Sequence, residues 1–371
     1  MVNGWGARLA VAGAIALALA AGAAAAPSAK VNPIPAGAEV LFASGMAGQK
    51  DPWGFPAREL FVARADGTSL TQITTAGFSH NHFAMSPDHH WIFTNRYSRG
   101  DTTGDHKIDY RDFKELWLID LKTLTERRVL EGVDGGYGGV AWSPDSRTVY
   151  FTIRHGHSSD VQSWNIDGKA PPKTVTGNIN KLLGLPGEER WVSDVDASPD
   201  GKWLALVYSN GDHDDPANKR KNRIALYKVD GTAARLVTDG GPLAPGQYGA
   251  WAAGDFDPDF SPDGKAISFQ RATDTRFLPK RGVYTSDLMR QNLDGTGLTL
   301  LSPKNNQHQA GISSYGGPRC QVVWAVWSDE EPAHLEVANP DGSDRREIRF
   351  KGDASHVQWI PVPNAAAACK K

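Results

Sequence analysis

Four stretches of this chain repeat one another around the tripeptide Ser-Pro-Asp: "HFAMSPDHHWIFTNR" at 82–96, "GVAWSPDSRTVYFTI" at 139–153, "DVDASPDGKWLALVY" at 194–208 and "DPDFSPDGKAISFQR" at 257–271. Their serines, Ser86, Ser143, Ser198 and Ser261, stand 57, 55 and 63 residues apart. A repeat of that period constrains the fold more than composition does, because each unit must bury its apolar face on its neighbours. Apolar residues alternate on both sides of each Ser-Pro-Asp-x, and Pro and Asp supply the turn, so each unit opens as strand, turn, strand. A third strand follows in "ELWLIDL", "DVQSWNIDG", "RIALYKVDG" and "DLMRQNLDG", and a fourth in "ERRVLE", "PKTVTG", "ARLVTDG" and "LTLLSP". Four strands per repeat make a propeller blade.

Two degenerate copies complete a ring. Residues 313–350 keep the strand order without Ser-Pro-Asp, and "EVLFASG", "ELFVARADG" and "LTQITT" near the N-terminus give three strands lacking an inner one. "HVQWIPV" at 356–362 supplies that strand from the other end of the chain, and closure within one blade removes exposed edges. The expectation is an all-β, six-bladed β-propeller of four-stranded blades over residues 30–363, with a flexible tail at 364–371. Six blades of about 55 residues need roughly 330, and 342 follow residue 29. Thirty-nine glycines and 23 prolines fit many turns, and no run beyond the N-terminal segment shows sustained helical periodicity.

Residues 1–29 carry one early positive charge, Arg8, then the apolar "LAVAGAIALALAAGAAAAPSA". That is the pattern of a signal peptide, with cleavage after Ala25 or Ala29, and it implies a periplasmic or secreted protein without a membrane span after processing. A net charge of −2 argues against a nucleic-acid partner. Two cysteines, Cys320 and Cys369, allow one disulfide in an exported chain but make no framework.

The repeated "SPDG" followed by a strand ending in "DG" resembles the PD40, or TolB-like (WD40-like), repeat of exported bacterial propellers, over nearly the whole chain after residue 29. The resemblance implies fold far better than function. TolB carries an additional N-terminal α/β domain, whereas only a short stretch precedes the first strand here. No hydrolase domain follows the propeller as in prolyl-oligopeptidase relatives, and no G-x-S-x-G is present.

"DTTGDHKIDYRD" at 101–112 fits an EF-hand or dockerin-like calcium loop. Asp101, Thr103, Asp105, Lys107 (through its carbonyl), Asp109 and Asp112 take the ligand positions, and Ile108 takes the apolar position eight. His106 stands where such loops place glycine, and Thr103 is a weaker ligand than Asp or Asn. The loop joins strands two and three of blade two, so a Ca²⁺ ion there is expected to tie down a hairpin rather than to move helices. It would add stability by binding only the folded state.

Side chains of the strand before each Ser-Pro-Asp alternate, so those four and two residues before the serine share the face towards the axis. Position minus four holds His82, Gly139, Asp194, Asp257 and His356; position minus two holds Ala84, Ala141, Asp196, Asp259 and Gln358. His82, Asp194, Asp196, Asp257, Asp259 and His356 are therefore the candidates for binding in the channel, with His80 and His308 just outside it on loops. Tyr248 and Trp251, in a Gly/Pro-rich loop, are expected at its mouth.

Two functional readings follow. In the first, the chain is an interaction module whose channel mouth takes a protein, a peptide or a small polar or cationic ligand, with structural Ca²⁺ in blade two and no organic cofactor. In the second, "SHNHF" resembles the His-x-His segment of oligogalacturonate lyases, propellers that hold a divalent metal with three His and a Gln. That resemblance implies a metal-dependent polysaccharide lyase or hydrolase, with His80, His82 and His356 as weak catalytic candidates and a transition metal in the channel. Two departures count against it: Gly77 stands where those lyases have the Gln, and they have seven blades. Whether the protein is an enzyme stays open on the sequence, which leans against it, because the axial aspartates repel uronates.

Overall fold

Ser-Pro-Asp-x works as a unit of hydrogen bonding before it works as a turn. In all four copies the serine hydroxyl donates to the Asp carboxylate at 2.6–2.7 Å and accepts the N–H five residues on at 2.9 Å. The residue after Asp enters the left-handed region, with φ of 59° at His89, 60° at Ser146, 69° at Gly201 and 67° at Gly264. Glycine does this freely, so blades four and five turn at less cost than blades two and three. The structure, a computed structural model, describes residues 31–51, 56–96, 106, 115–130, 137–155, 158–210, 222–241, 253–272, 276–280, 283–303, 307–363 and 365–369.

Each turn joins the innermost strand of an antiparallel sheet to the second, and six four-stranded sheets form the blades. Blade one takes its innermost strand, Ser355–Trp359, from the end of the chain and Val40–Ser44, Glu59–Ala63 and Thr71–Gln72 from the beginning. The innermost strands of the other blades are His80–Met85, Tyr137–Trp142, Arg190–Ala197, Gly254–Phe260 and His308–Gly316. Successive innermost strands touch all the way round, the last against the first, so the ring is closed. No helix among the described residues is long and apolar enough to cross a membrane.

The core lies between blades rather than around the axis. Phe93, Trp142, Phe151 and Trp164 fill the gap between blades two and three, and Trp142 also donates its indole N–H to Ala84 O at 2.8 Å. Trp359 closes blade one against blade six in the same way, donating to Gln321 O at 3.0 Å. Burying a large apolar side chain stabilises by roughly 1.5–3 kcal/mol; Trp142 stands just before its Ser-Pro-Asp turn and Trp359 at the equivalent place in blade one.

The tail corrects an expectation. Residues Ala365–Ala368 form one helical turn, and Cys369 is joined to Cys320 in blade six with their Cα atoms 5.0 Å apart. Ala368 and Cys369 pack on the apolar cluster of that blade. The segment after the closing strand is therefore tethered across the seam instead of hanging free.

The axial channel as candidate binding site

The axis is lined by strands that do not alternate regularly. Every innermost strand carries a one-residue β-bulge at the same place: between His80 and Phe83, Tyr137 and Val140, Ser193 and Asp196, Phe256 and Asp259, Gly311 and Ser314, and opposite Phe42/Ala43 in blade one. A bulge re-aims a side chain and bends its strand. Position minus four sits in it, and in four blades that residue is left-handed although it is not glycine: Asp194 (φ 46°), Asp257 (49°), Ile312 (49°) and His356 (47°). Such strain costs on the order of 1–2 kcal/mol per residue, most plainly for a β-branched residue such as Ile312.

Two rings of side chains result. The bulge ring comprises His356, His82, Gly139, Asp194, Asp257 and Ile312 in blade order. The staple ring, two residues nearer the Ser-Pro-Asp turns, comprises Gln358, Ala84, Ala141, Asp196, Asp259 and Ser314. All twelve line one cavity of about 240 Å³, room for roughly eight waters at their liquid volume. Gly139 has no side chain to offer because a Cβ there would lie 2.6 Å from Asp194 Cα.

The staple ring holds neighbours together. Asp196 accepts the backbone N–H of Phe260 at 2.8 Å, Asp259 that of Tyr315 at 2.9 Å, Ser314 Oγ that of Trp359 at 3.1 Å, and Gln358 that of Met85 at 2.8 Å. Each bond runs from one blade to the residue before the turn of the next. The bulge ring is differently bonded. His82 and His356 meet edge to face with ring centroids 5.7 Å apart, Trp327 lies 6.2 Å beyond His356, and Asp194 accepts its neighbour Ser193 Oγ at 2.9 Å. His356 Nδ1 is buried without a hydrogen-bond partner among the described residues. With six blades, the two imidazoles of blades one and two face the carboxylates of blades four and five across the axis.

No family model and no curated protein matches the chain. Among solved structures, TolB from Acinetobacter baumannii superposes with a TM-score of 0.62 at 17% identity, over 89% of this chain and 68% of that one. The fold is TolB-like. The putative TolB from Agrobacterium tumefaciens aligns at a TM-score of 0.54 and 14% identity, covering 91% of this chain and all of its own. A propeller from a nidogen/laminin complex aligns at 0.57 and 10%, over 88% of this chain and all of that one. At these identities the likeness is one of fold.

Within this TolB-like ring the carboxylates resist ionising. Burial pushes the Asp196 carboxyl up to about 6, against the pull of the Phe260 and Ala197 N–H groups. Burial and the nearby Asp196 charge hold Asp259 well above the usual range, and burial and Asp194 do the same to Asp257, which the Ile312 N–H partly offsets. Burial raises Asp194 against the opposing pull of His82. The imidazoles move the other way: burial lowers His82 while Asp194 resists, and burial, with His82 and Arg58 adding, holds His356 well below its ordinary value. Four carboxylates crowded into a shared cavity favour a cation, which would relieve both their repulsion and their desolvation.

The sequence-derived sites fare differently. His82, Asp194, Asp196, Asp257, Asp259 and His356 all converge on the channel. His80 does not: it opens a strand instead of lying on a loop and is fully buried in blade two, Nδ1 3.1 Å from Thr94 Oγ1 and Nε2 3.8 Å from Glu59 Oε2. His308 also opens a strand, 4.0 Å from Glu331. Among the described residues no three-histidine set of the lyase kind is gathered; of the candidates, His82 and His356 meet. Asp101, Thr103, Asp105, Lys107, Asp109 and Asp112, like Tyr248 and Trp251, lie outside the described residues. Sequence reasoning missed the bulges and the staples. A repeated polar residue two places before the serine was the available signal for the staples; the bulges left none.

Proposed function

We propose that this chain is an exported TolB-like propeller acting as a binding module, with the bulge ring receiving a cationic group, such as a peptide amine or a small cation, at the channel mouth. The observation that carries the reading is the convergence of Asp194 and Asp257, strained and reluctant to ionise, on a water-accessible cavity facing His82 and His356. The apolar segment at residues 1–29 supports export. Titration of short peptides tests the module: a lysine-containing peptide with a free N-terminus should bind, and its acetylated, lysine-free or acidic analogues should not. Equal binding of all of them would remove the reading.

Calcium in the blade-two hairpin belongs to the same proposal. His106 has φ 63°, the left-handed conformation that the turn position of such a loop demands, in a residue that tolerates it only moderately. Asp105→Ala should lower the melting temperature in calcium buffer and abolish the response to chelator. An unchanged melting point would end the assignment.

The lyase or hydrolase reading keeps one favourable observation, the His82–His356 pair. It requires a stoichiometric transition metal that is lost in His82→Ala. Metal analysis of purified protein, with and without chelator, separates the readings.

A further inference from the structure

A different set of side chains lies off the axis in blade six. Strand His334–Ala338 is flanked by Gln321–Ser328 and by the edge strand Arg346–Ile348, with Glu336 opposite Trp324 on one side and Glu347 on the other. His334 and Glu336 are two apart on one strand, so both project to the same face as Glu347. One ligand atom from each of the three lies within 4.8 Å of the other two, the one such His/Asp/Glu group among the described residues. Glu331 Oε1 lies 3.9 Å from His334 Nδ1.

What lifts this above a surface acidic cluster is what lies buried in it. His334 and Glu336 are each 4% exposed, and neither His334 Nδ1 nor Glu336 Oε2 has a hydrogen bond of good geometry among the described residues, although the Trp324 indole N–H approaches Glu336 and the Pro332 backbone approaches His334. A buried polar atom left poorly matched costs up to about 1–3 kcal/mol, so two on one face leave room for a better partner. The guanidinium groups nearby do not fill the gap. Arg345 Nη1 takes Glu336 Oε1 at 2.7 Å, Arg349 Nε takes Glu347 Oε2 at 2.6 Å and Arg349 Nη2 takes Glu331 Oε2 at 2.9 Å, orienting each carboxylate through one oxygen.

We propose that His334, Glu336 and Glu347, with Glu331 in reach as a fourth ligand, form a site for a divalent transition cation of the zinc class. One imidazole with carboxylates is a donor set that such an ion accepts. Glu347 is exposed and gives the ion its way in. The ion would clasp the edge strand of blade six, beside the seam where the ring closes.

The test is calorimetric titration of Zn²⁺ into the chelator-treated full chain, using His82→Ala/His356→Ala as background so that channel histidines contribute nothing. That background should still bind one equivalent. Adding Glu347→Gln, an exposed change that leaves folding intact, should weaken binding at least about tenfold, since even indirect ligand partners contribute 10–100-fold. His334→Ala should weaken it further, and if that variant fails to fold, Glu347→Ala carries the comparison. Loss of all zinc binding in the background, or an affinity unchanged by Glu347→Gln and Glu347→Ala, would overturn the proposal.

Discussion

Two rings of side chains, two residues apart on the same six strands, do opposite work in this propeller. Asp196, Asp259, Ser314 and Gln358 are consumed by the fold, each accepting a backbone N–H from the next blade. His82, Asp194, Asp257 and His356 sit in bulges, two of the aspartates and one histidine in left-handed backbone, with a histidine nitrogen unmatched. The lesson is that polarity in a channel does not by itself mark a binding site. What sets the bulge ring apart is strained backbone and, among the described residues, an unmatched His356 nitrogen, with Asp257 alone of its carboxylates drawing on the next blade through the Ile312 N–H.

A lesion at the seam should break both rings together, and it has the largest expected effect. His356 and Gln358 share the closing strand, and the Cys320–Cys369 disulfide closes a loop of 49 residues around it. On the loop-entropy model, Cys369→Ser should cost about 4 kcal/mol, read as a lower denaturant midpoint, and should weaken channel binding as well.

Lesions within one ring should separate them. Asp196 holds its proton up to about pH 6 when folded but releases it near 3.8 when unfolded. The folded chain therefore binds the extra proton across that window, and stability falls as pH rises from about 4 to about 6. Asp196→Asn keeps an oxygen for the Phe260 N–H and removes the charge. It should gain at most about 3 kcal/mol at pH 7.5, an upper bound because the channel admits water, and nothing near pH 4. Melting curves at the two pH values check this; an equal shift at both would contradict it.

Uncharged members give the smaller and sharper contrast. Gln358→Ala strands the Met85 N–H and should cost about 2 kcal/mol at any pH. His356→Ala strands no backbone group and should change stability by under about 1 kcal/mol at pH 7.5. The folded His356 refuses a proton that the unfolded chain accepts below about 6.5, so its contribution is present above that pH and lost as pH falls. His356→Ala should therefore gain relative stability under mild acid while Gln358→Ala does not. Parallel pH-dependent unfolding of the two variants would show it.

Much of this was legible in the sequence. The spacing of Ser86, Ser143, Ser198 and Ser261 dictated blades, and the orphan strand at 356–362 dictated the seam, because hydrophobic periodicity and turn chemistry are local properties. The channel residues were legible too, through position relative to those serines. The bulges were not: strict alternation was assumed, and a backbone excursion at Asp194 or His356 has no composition signal when Asp and His rather than Gly occupy it. The misplacement of His80 has the same root. Regular alternation would put His80, two positions from His82, on the same face, but the bulge between His80 and Phe83 breaks that register. The tether at Cys369 was readable only as an option, since two thiols far apart in sequence say nothing about distance.

The division of labour is tested most directly by calorimetric titration of one lysine-containing, free-amine peptide into the wild type and into Asp194→Asn/Asp257→Asn. Binding should weaken at least about tenfold in the variant, as expected when charge-assisted contacts are lost, with the melting temperature unchanged or raised. An affinity within twofold of the wild type would mean that the bulge ring, like the staple ring, serves only the fold.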